Sequence, residues 1–385
     1  MLAINNVAKS KGIEYYTAFP NARSMRGKGD NDSILIGTRL GRNLHILLAK
    51  MTGLHGCFSI LDTHFFLKKV KKINPDIIHL HNIHGDYINI QMLFKYIKRK
   101  NIKVVWTLHD CWTFTGQCPH FDMIGCDKWK TGCYKCPQFK EYPKSMVDNS
   151  KLMYKLKKKW FTGVENLTIV TPSQWLADLV KQSYLKEYPV QVINNGINLN
   201  IFKPTESNFR EKYNLQNKYI ILGIAFGWGE RKGLDVFIDL AKRLDEMYQI
   251  ILVGTDENID KKLPSNILSI HRTQNQVELA EIYTAADLFI NPTREDTFPT
   301  TNIEALACGT PVITFDTGGS PEIIDNTCGI SVKKDSISDM VKAMRTVCEG
   351  NLYQVKPCVT RAEQYNKNEK FQEYINVYAN INKYW

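Results

Sequence analysis

Between Asn291 and Asp325 the chain reads NPTREDTFPTTNIEALACGTPVITFDTGGSPEIID, a stretch whose side chains could do chemistry. Carboxylates at Asp296, Glu304 and Glu322 and hydroxyls at Thr300 and Thr301 sit in loops and helix starts, between mostly apolar segments. Such a layout puts polar groups at the carboxyl ends of parallel strands, where open α/β sheets bind ligands. Arg231 and Lys232 stand at another expected helix start, where positive charge opposes the macrodipole unless an anion is bound. Glu304 has a second reading, because Thr301-x-x-Glu304 fits a capping box. Gly318–Gly319 allows a close backbone approach to a ligand, or simply a tight strand-to-helix turn ahead of Glu322.

Two series of alternating strands and helices must position these residues. In the first, after a loop over Asn21–Ser33, strands are expected at Ile34–Gly37, Asp76–His81, Lys103–Leu108, Leu167–Thr171 and Val190–Ile193. His109 follows the third of these at its carboxyl end. Periodicity stops between His109 and Ser145, an insertion of about 35 residues that needs its own organising force. It contains Cys118, Cys126, Cys133 and Cys136, one CxxC pair among them, which could hold a structural zinc; buried thiols or a disulfide are the other readings. The turn Asn194–Gly196 reads as a linker. The second series opens with strand Tyr219–Ala225 and helix Gly233–Asp245, and ends in an amphipathic segment, Arg361–Tyr384. The expected division is 1–196, completed by a helix over 362–385, and 197–361.

The 385 residues, 43% hydrophobic and 23% charged, suit a globular enzyme of two or three domains. No long apolar run and no secretory leader pattern is present, so a cytoplasmic protein is expected. The net charge of +11 is uneven: residues 1–196 hold 29 Lys+Arg and 14 Asp+Glu, the remainder 21 and 25. The surplus, including Lys151–Lys159, could meet an anionic membrane surface or an anionic acceptor. Nucleic acid is not expected, since the basic residues lack interleaved aromatics on a recognisable module.

FINPTREDTFPTTNIEALACGTPVITFDTGGSPEII resembles the donor-site signature of the family 4 glycosyltransferases, in particular those of bacterial capsular and exopolysaccharide assembly. NGINLNIFKP, ERKGLDVFIDLAKRL, AEIYTAADLFINP and DIIHLHNIHG…VVWTLHDCW match in order, so the resemblance covers nearly the whole chain. It implies the GT-B fold, two doubly wound Rossmann-like domains facing across a cleft. It also implies retaining, metal-independent transfer from a UDP- or GDP-sugar to a hydroxyl of a lipid-linked glycan. The N-terminal domain would hold the acceptor at the inner face of the membrane, and the C-terminal domain the donor. A nucleotide-sugar epimerase or hydrolase of the same fold is the alternative. The strand and glycine-rich turn that normally open such a domain are absent before the first helix, which also admits a truncated, non-catalytic homologue.

The resemblance assigns roles residue by residue. Glu304 would hold the ribose hydroxyls, and a carboxylate suits a diol because it accepts two charge-assisted hydrogen bonds. The family pattern has a glutamate eight positions earlier; here it is Asp296, expected near the donor sugar. The amides of Thr300 and Thr301 would meet the diphosphate, and Pro299 replaces a frequent glycine. Lys232 would contact the diphosphate, with Arg231 standing in for an arginine whose usual position is taken by Gly227. His109 would lie beside the donor sugar, lining the site without acting as a base.

Overall fold

The computed structural model describes residues 2–22 and 33–383. Residues up to Ile193 together with those from Phe371 onward form one compact unit, and Asn194–Lys370 form another. The loop expected over Asn21–Ser33 lies largely outside the described residues.

The first unit contains α1 (Leu2–Ser10), β1 (Thr17–Pro20), β2 (Ser33–Ile36), α2 (Arg39–Thr52), α3 (Ile60–Ile73) and β3 (Ile77–Leu80). It continues with α4 (Ile90–Lys100), β4 (Lys103–Thr107), α5 (Ser150–Phe161), β5 (Leu167–Thr171), α6 (Gln174–Gln182) and β6 (Val190–Val192). Strands β3-β4-β5-β6 form a parallel sheet in that order, and β1 pairs with β2 in a separate parallel ladder. Val104, Val105, Trp106, Ile169 and Val170 are all buried, as strands covered on both faces require.

The second unit runs through α7 (Phe209–Lys212), β7 (Tyr219–Ile224), α8 (Leu234–Arg243), β8 (Tyr248–Val253), α9 (Glu257–Asp260) and β9 (Ile267–Ile270). Next come α10 (Gln276–Ala285), β10 (Leu288–Asn291), α11 (Thr300–Ala307), β11 (Val312–Phe315), β12 (Gly329–Val332), α12 (Ile337–Cys348) and α13 (Val355–Glu363). All six strands are parallel, in the order β12-β11-β10-β7-β8-β9. The chain therefore builds outward from β7 in one direction and, after β10, in the other. The switch point lies between β7 and β10. Every residue of β10 and β11 is buried.

The last helix, α14 (Lys367–Lys383), begins in the second unit and belongs to the first from Phe371 on. There Tyr374, Ile375 and Val377 pack with Ile4, Ala8, Val105 and Val170. The exchange thus falls after Lys370, not at 362, because α13 packs on α11 and stays with the second unit.

The insertion after β4 is organised by aromatic packing. Phe121 and Trp129 stack with centroids 5.0 Å apart, and Phe114 meets Phe121 edge-on and Trp129 at a tilt. Lys157 of α5 is fully buried against them: its ammonium lies 3.6 Å from the Trp112 ring centroid and donates to the Trp112 carbonyl. Burial lowers its pKa to about 7. Gln117 donates to the carbonyls of Phe139 (2.9 Å) and Pro143 (2.7 Å). The far end is fixed by His55, whose ring nitrogens reach Asp86 (3.1 Å) and Ser145 (3.0 Å).

Cys118, Cys126, Cys133 and Cys136 line one small apolar pocket of this insertion as free thiols. Among the described residues no three His, Cys, Asp or Glu side chains are grouped as metal ligands. The Cys133 sulfur accepts the Gly116 amide (3.1 Å), and Cys126 packs into the aromatic cluster.

Candidate functional site

The loops that follow β7, β10 and β11 lie side by side because their strands are neighbours in the sheet. That is the crevice at the carboxyl ends of strands, on either side of the switch point, where open α/β sheets take ligands. The loop after β7 tightens into a short turn, Glu230–Lys232, and Gly233 then adopts φ +74° before α8 begins. A Cβ on Gly233 would fall 2.5 Å from the Pro292 carbonyl oxygen, so the absence of a side chain lets the β7 and β10 loops touch.

That contact aims Lys232 at the β10 loop. Its ammonium lies 2.7 Å from Asp296 Oδ2, both side chains being only one-fifth exposed. Asp296 Oδ1 accepts the Phe298 amide at 3.3 Å, and its carbonyl accepts the Gly319 amide at 3.1 Å. At Gly318 (φ +57°) a Cβ would overlap the Asp296 carbonyl at 1.8 Å. The Gly-Gly turn is therefore required by the approach of the β11 loop to the β10 loop. Arg231 is exposed, and its guanidinium reaches the Glu295 carbonyl at 3.4 Å.

The β10 loop ends at Pro299, which precedes α11 without a side-chain cap, so the first turn of the helix keeps open N–H groups at Thr300 and Thr301. Glu304 does not close a capping box with Thr301. Its carboxylate instead accepts from the Tyr283 hydroxyl of α10 (3.1 Å) and from the Thr300 side chain. Burial dominates these two bonds and raises its pKa to about 7. Glu322 lies in the short turn Pro321–Ile323, after β11, and its carbonyl accepts from Arg361 at 2.7 Å.

His109 belongs to the first unit, just past β4. Its Nε2 lies 3.0 Å from Nδ1 of His81, and the two rings stack 5.4 Å apart. Burial lowers its pKa, with Asp110 opposing, so the imidazole is neutral at pH 7. His79, in β3 two residues before His81, is committed to Tyr378 (2.6 Å) and Thr107 (2.8 Å).

Two residues of the second unit escaped sequence reasoning. Tyr283 lies 21 positions from Glu304, and nothing local links them. Arg294 is buried and clamps three segments: its guanidinium pairs with Asp235 of α8 (2.7 Å) and Asp335 beyond β12 (2.7 Å), and donates to the Glu230 carbonyl. Its position between Thr293 and Glu295 in a polar loop gave no sign of burial.

This arrangement offers an anion a lysine, an arginine and an open helix start, with a carboxyl group of raised pKa at the foot of the same helix. Residues 218–349 match the family described as Glycosyl transferases group 1, and residues 51–201 match Glycosyltransferase Family 4. The chain is a glycosyltransferase with a family 4 domain followed by a group 1 domain. All the donor-loop residues of this glycosyltransferase fall in the first match and His109 in the second.

Among curated relatives it is 25% identical to WcaC of Escherichia coli, named for colanic acid biosynthesis, over 80% of this chain and 77% of that one. It is 30% identical to the N,N'-diacetylbacillosaminyl-diphospho-undecaprenol alpha-1,3-N-acetylgalactosaminyltransferase of Campylobacter jejuni, over 54% of this chain and 58% of that one. Solved structures share the fold. A Rickettsia africae glycosyltransferase superposes with a TM-score of 0.66 at 18% identity, covering 99% of this chain and 94% of that one. Anabaena HepE in complex with UDP gives 0.65 at 13%, covering 95% and 100%. The GT-B class expected from the sequence is thus the class of its structural neighbours.

Proposed function

We propose that this glycosyltransferase transfers a sugar, with retention and without a metal cofactor, from a nucleoside diphosphate sugar to a hydroxyl of a lipid-linked glycan. The observation that carries the donor half is the grouping of Lys232, Asp296 and the uncapped start of α11 at the switch point of the six-stranded sheet. Lys232, Arg231 and the amides of Thr300 and Thr301 would meet the diphosphate, and Glu304 the ribose diol. Binding would thereby place negative charge at the open helix N–H groups and beside a lysine whose partner in the free protein is Asp296. Asp296 would face the donor sugar, releasing Lys232 in part to the phosphates.

The acceptor half rests on the relatives. One is named for transfer to a diphospho-undecaprenol-linked sugar and one for colanic acid biosynthesis. His109 would line the sugar and donate or accept one hydrogen bond; burial, which disfavours the charged imidazole, makes it a poor proton acceptor. The acceptor proton would pass to the leaving diphosphate, with the protein supplying position and electrostatics. Such an enzyme works in the cytoplasm at the inner face of the membrane.

A thermal-shift panel of UDP-, GDP- and ADP-sugars tests the donor reading. One nucleotide class should raise Tm, and Lys232→Ala should remove the shift while leaving the unliganded transition in place. No shift with any of the three would overturn the reading.

A further inference from the structure

Helix α2 turns His45 and Ala49 inward and Leu40, Leu44, Leu47 and Met51 outward. These four recur at three- and four-residue spacing, so they form one stripe, and all are at least half exposed, Leu40 to 80%. An amphipathic helix normally buries its leucine stripe. The stripe also continues beyond the helix at both ends. Gly41 lies against Asp62, which brings the start of α3, with exposed Leu61 and Phe65, beside the start of α2. At the other end the Met146 amide donates to the Lys50 carbonyl (2.7 Å), setting exposed Met146 beside the end of α2.

The charges around this surface have one sign. Helix α2 contains no acidic residue, and α3 contains exposed Lys68, Lys69, Lys71 and Lys72. The one acid of α3, Asp62, is turned onto Gly37 and Gly41. Leucines and a phenylalanine beside a row of lysines match a surface whose outer layer is anionic and whose next layer is hydrocarbon. By contrast, α5, where the basic run Lys151–Lys159 sits, buries Lys157 and exposes one large apolar residue, Leu152, so it offers charge alone.

We propose that the α2–α3 face docks on an anionic lipid bilayer, with the α2 stripe in the boundary between headgroups and acyl chains and the α3 lysines at the phosphates. The inference deepens the reading of a lipid-linked acceptor and rests on it for its purpose, while its test does not involve the donor site.

Vesicles of phosphatidylcholine alone, and of phosphatidylcholine with one-third phosphatidylglycerol, are sedimented with the full chain. The protein should co-sediment with the anionic vesicles and be released by salt. Leu44→Asp/Leu47→Asp, at exposed positions, should lower partitioning more than about tenfold. Lys68→Glu/Lys72→Glu should lower it at least about 25-fold on anionic vesicles, taking roughly fivefold per lysine. Equal partitioning onto both vesicle types, no partitioning, or unchanged partitioning of both variants would overturn the proposal. So would a dimer on size exclusion that Leu44→Asp/Leu47→Asp converts to monomer without any vesicle binding. A UDP thermal shift on each variant separates the two readings: loss of vesicle binding with the shift retained concerns this surface alone, whereas no nucleotide shift in the wild type fails the donor reading instead.

Discussion

Replacing Glu304 by glutamine separates what this side chain does for ligand binding from what it costs the fold. Burial raises its carboxyl pKa from 4.5 to about 7. At 1.36 kcal/mol per pH unit that difference is about 3 kcal/mol between the protonated and ionised forms. Because the folded pKa is the higher one, this stabilisation is full below about 4.5 and is lost as pH rises through about 7. Glutamine keeps the shape and the bond from Tyr283 but does not ionise. Near pH 5 Glu304→Gln should therefore leave stability almost unchanged. At pH 8.5 it should stabilise the free protein by up to about 3 kcal/mol, a rise of roughly 5–10 °C for a domain of this size. The same change should weaken nucleotide binding by roughly 10–100-fold, since hydrogen bonds to a charged acceptor are the stronger kind. Thermal melts at the two pH values, and titration calorimetry with the nucleotide sugar that shifts Tm, measure both effects. Equal destabilisation at both pH values with wild-type nucleotide affinity would refute the reasoning, since Glu304 would then be a structural acceptor for Tyr283 and no more.

Tyr283→Phe removes a hydroxyl that lowers the Glu304 pKa, so the pH midpoint of nucleotide-sugar affinity should move to more alkaline pH, read by calorimetry across pH 6–9. Asp296→Asn should leave Lys232 more available to phosphate, giving UDP affinity equal to or above wild type while transfer falls by at least about 100-fold; Lys232→Ala should lose both. His109→Ala should lower turnover with nucleotide affinity unchanged. Because burial lowers the His109 pKa below its ordinary value, the wild-type rate should show no protonation step of His109 above pH 7.

The strand and helix alternation was legible because parallel strands covered on both faces read as short apolar runs, and β10 and β11 are buried along their whole length. The donor loop was legible because its glycines, Gly233 and Gly318, sit where a side chain would collide with a neighbouring loop. What pairs across the fold was not. The Tyr283–Glu304 bond and the Arg294 clamp join elements far apart in sequence, so Glu304 read equally well as a capping box and nothing singled out Arg294. The packing inside the cysteine insertion was hidden for a related reason: Phe114, Phe121 and Trp129 meet across it, and Lys157, which the basic run Lys151–Lys159 offered to an anionic partner, is buried over Trp112. The outward leucines of α2 were hidden in the same way, because a stripe at helical spacing looks identical whether it meets a core or a membrane.

The central claim is that a nucleotide sugar held by the β7, β10 and β11 loops is spent on an acceptor. The most direct measurement follows release of the nucleoside diphosphate from the stabilising donor, with and without a polyprenyl-diphosphate-linked glycan. The account predicts release that requires the acceptor, a product whose new linkage keeps the donor's anomeric configuration, and loss of both in Lys232→Ala. Free sugar or an epimer formed from donor alone, or no consumption of donor under either condition, would contradict it.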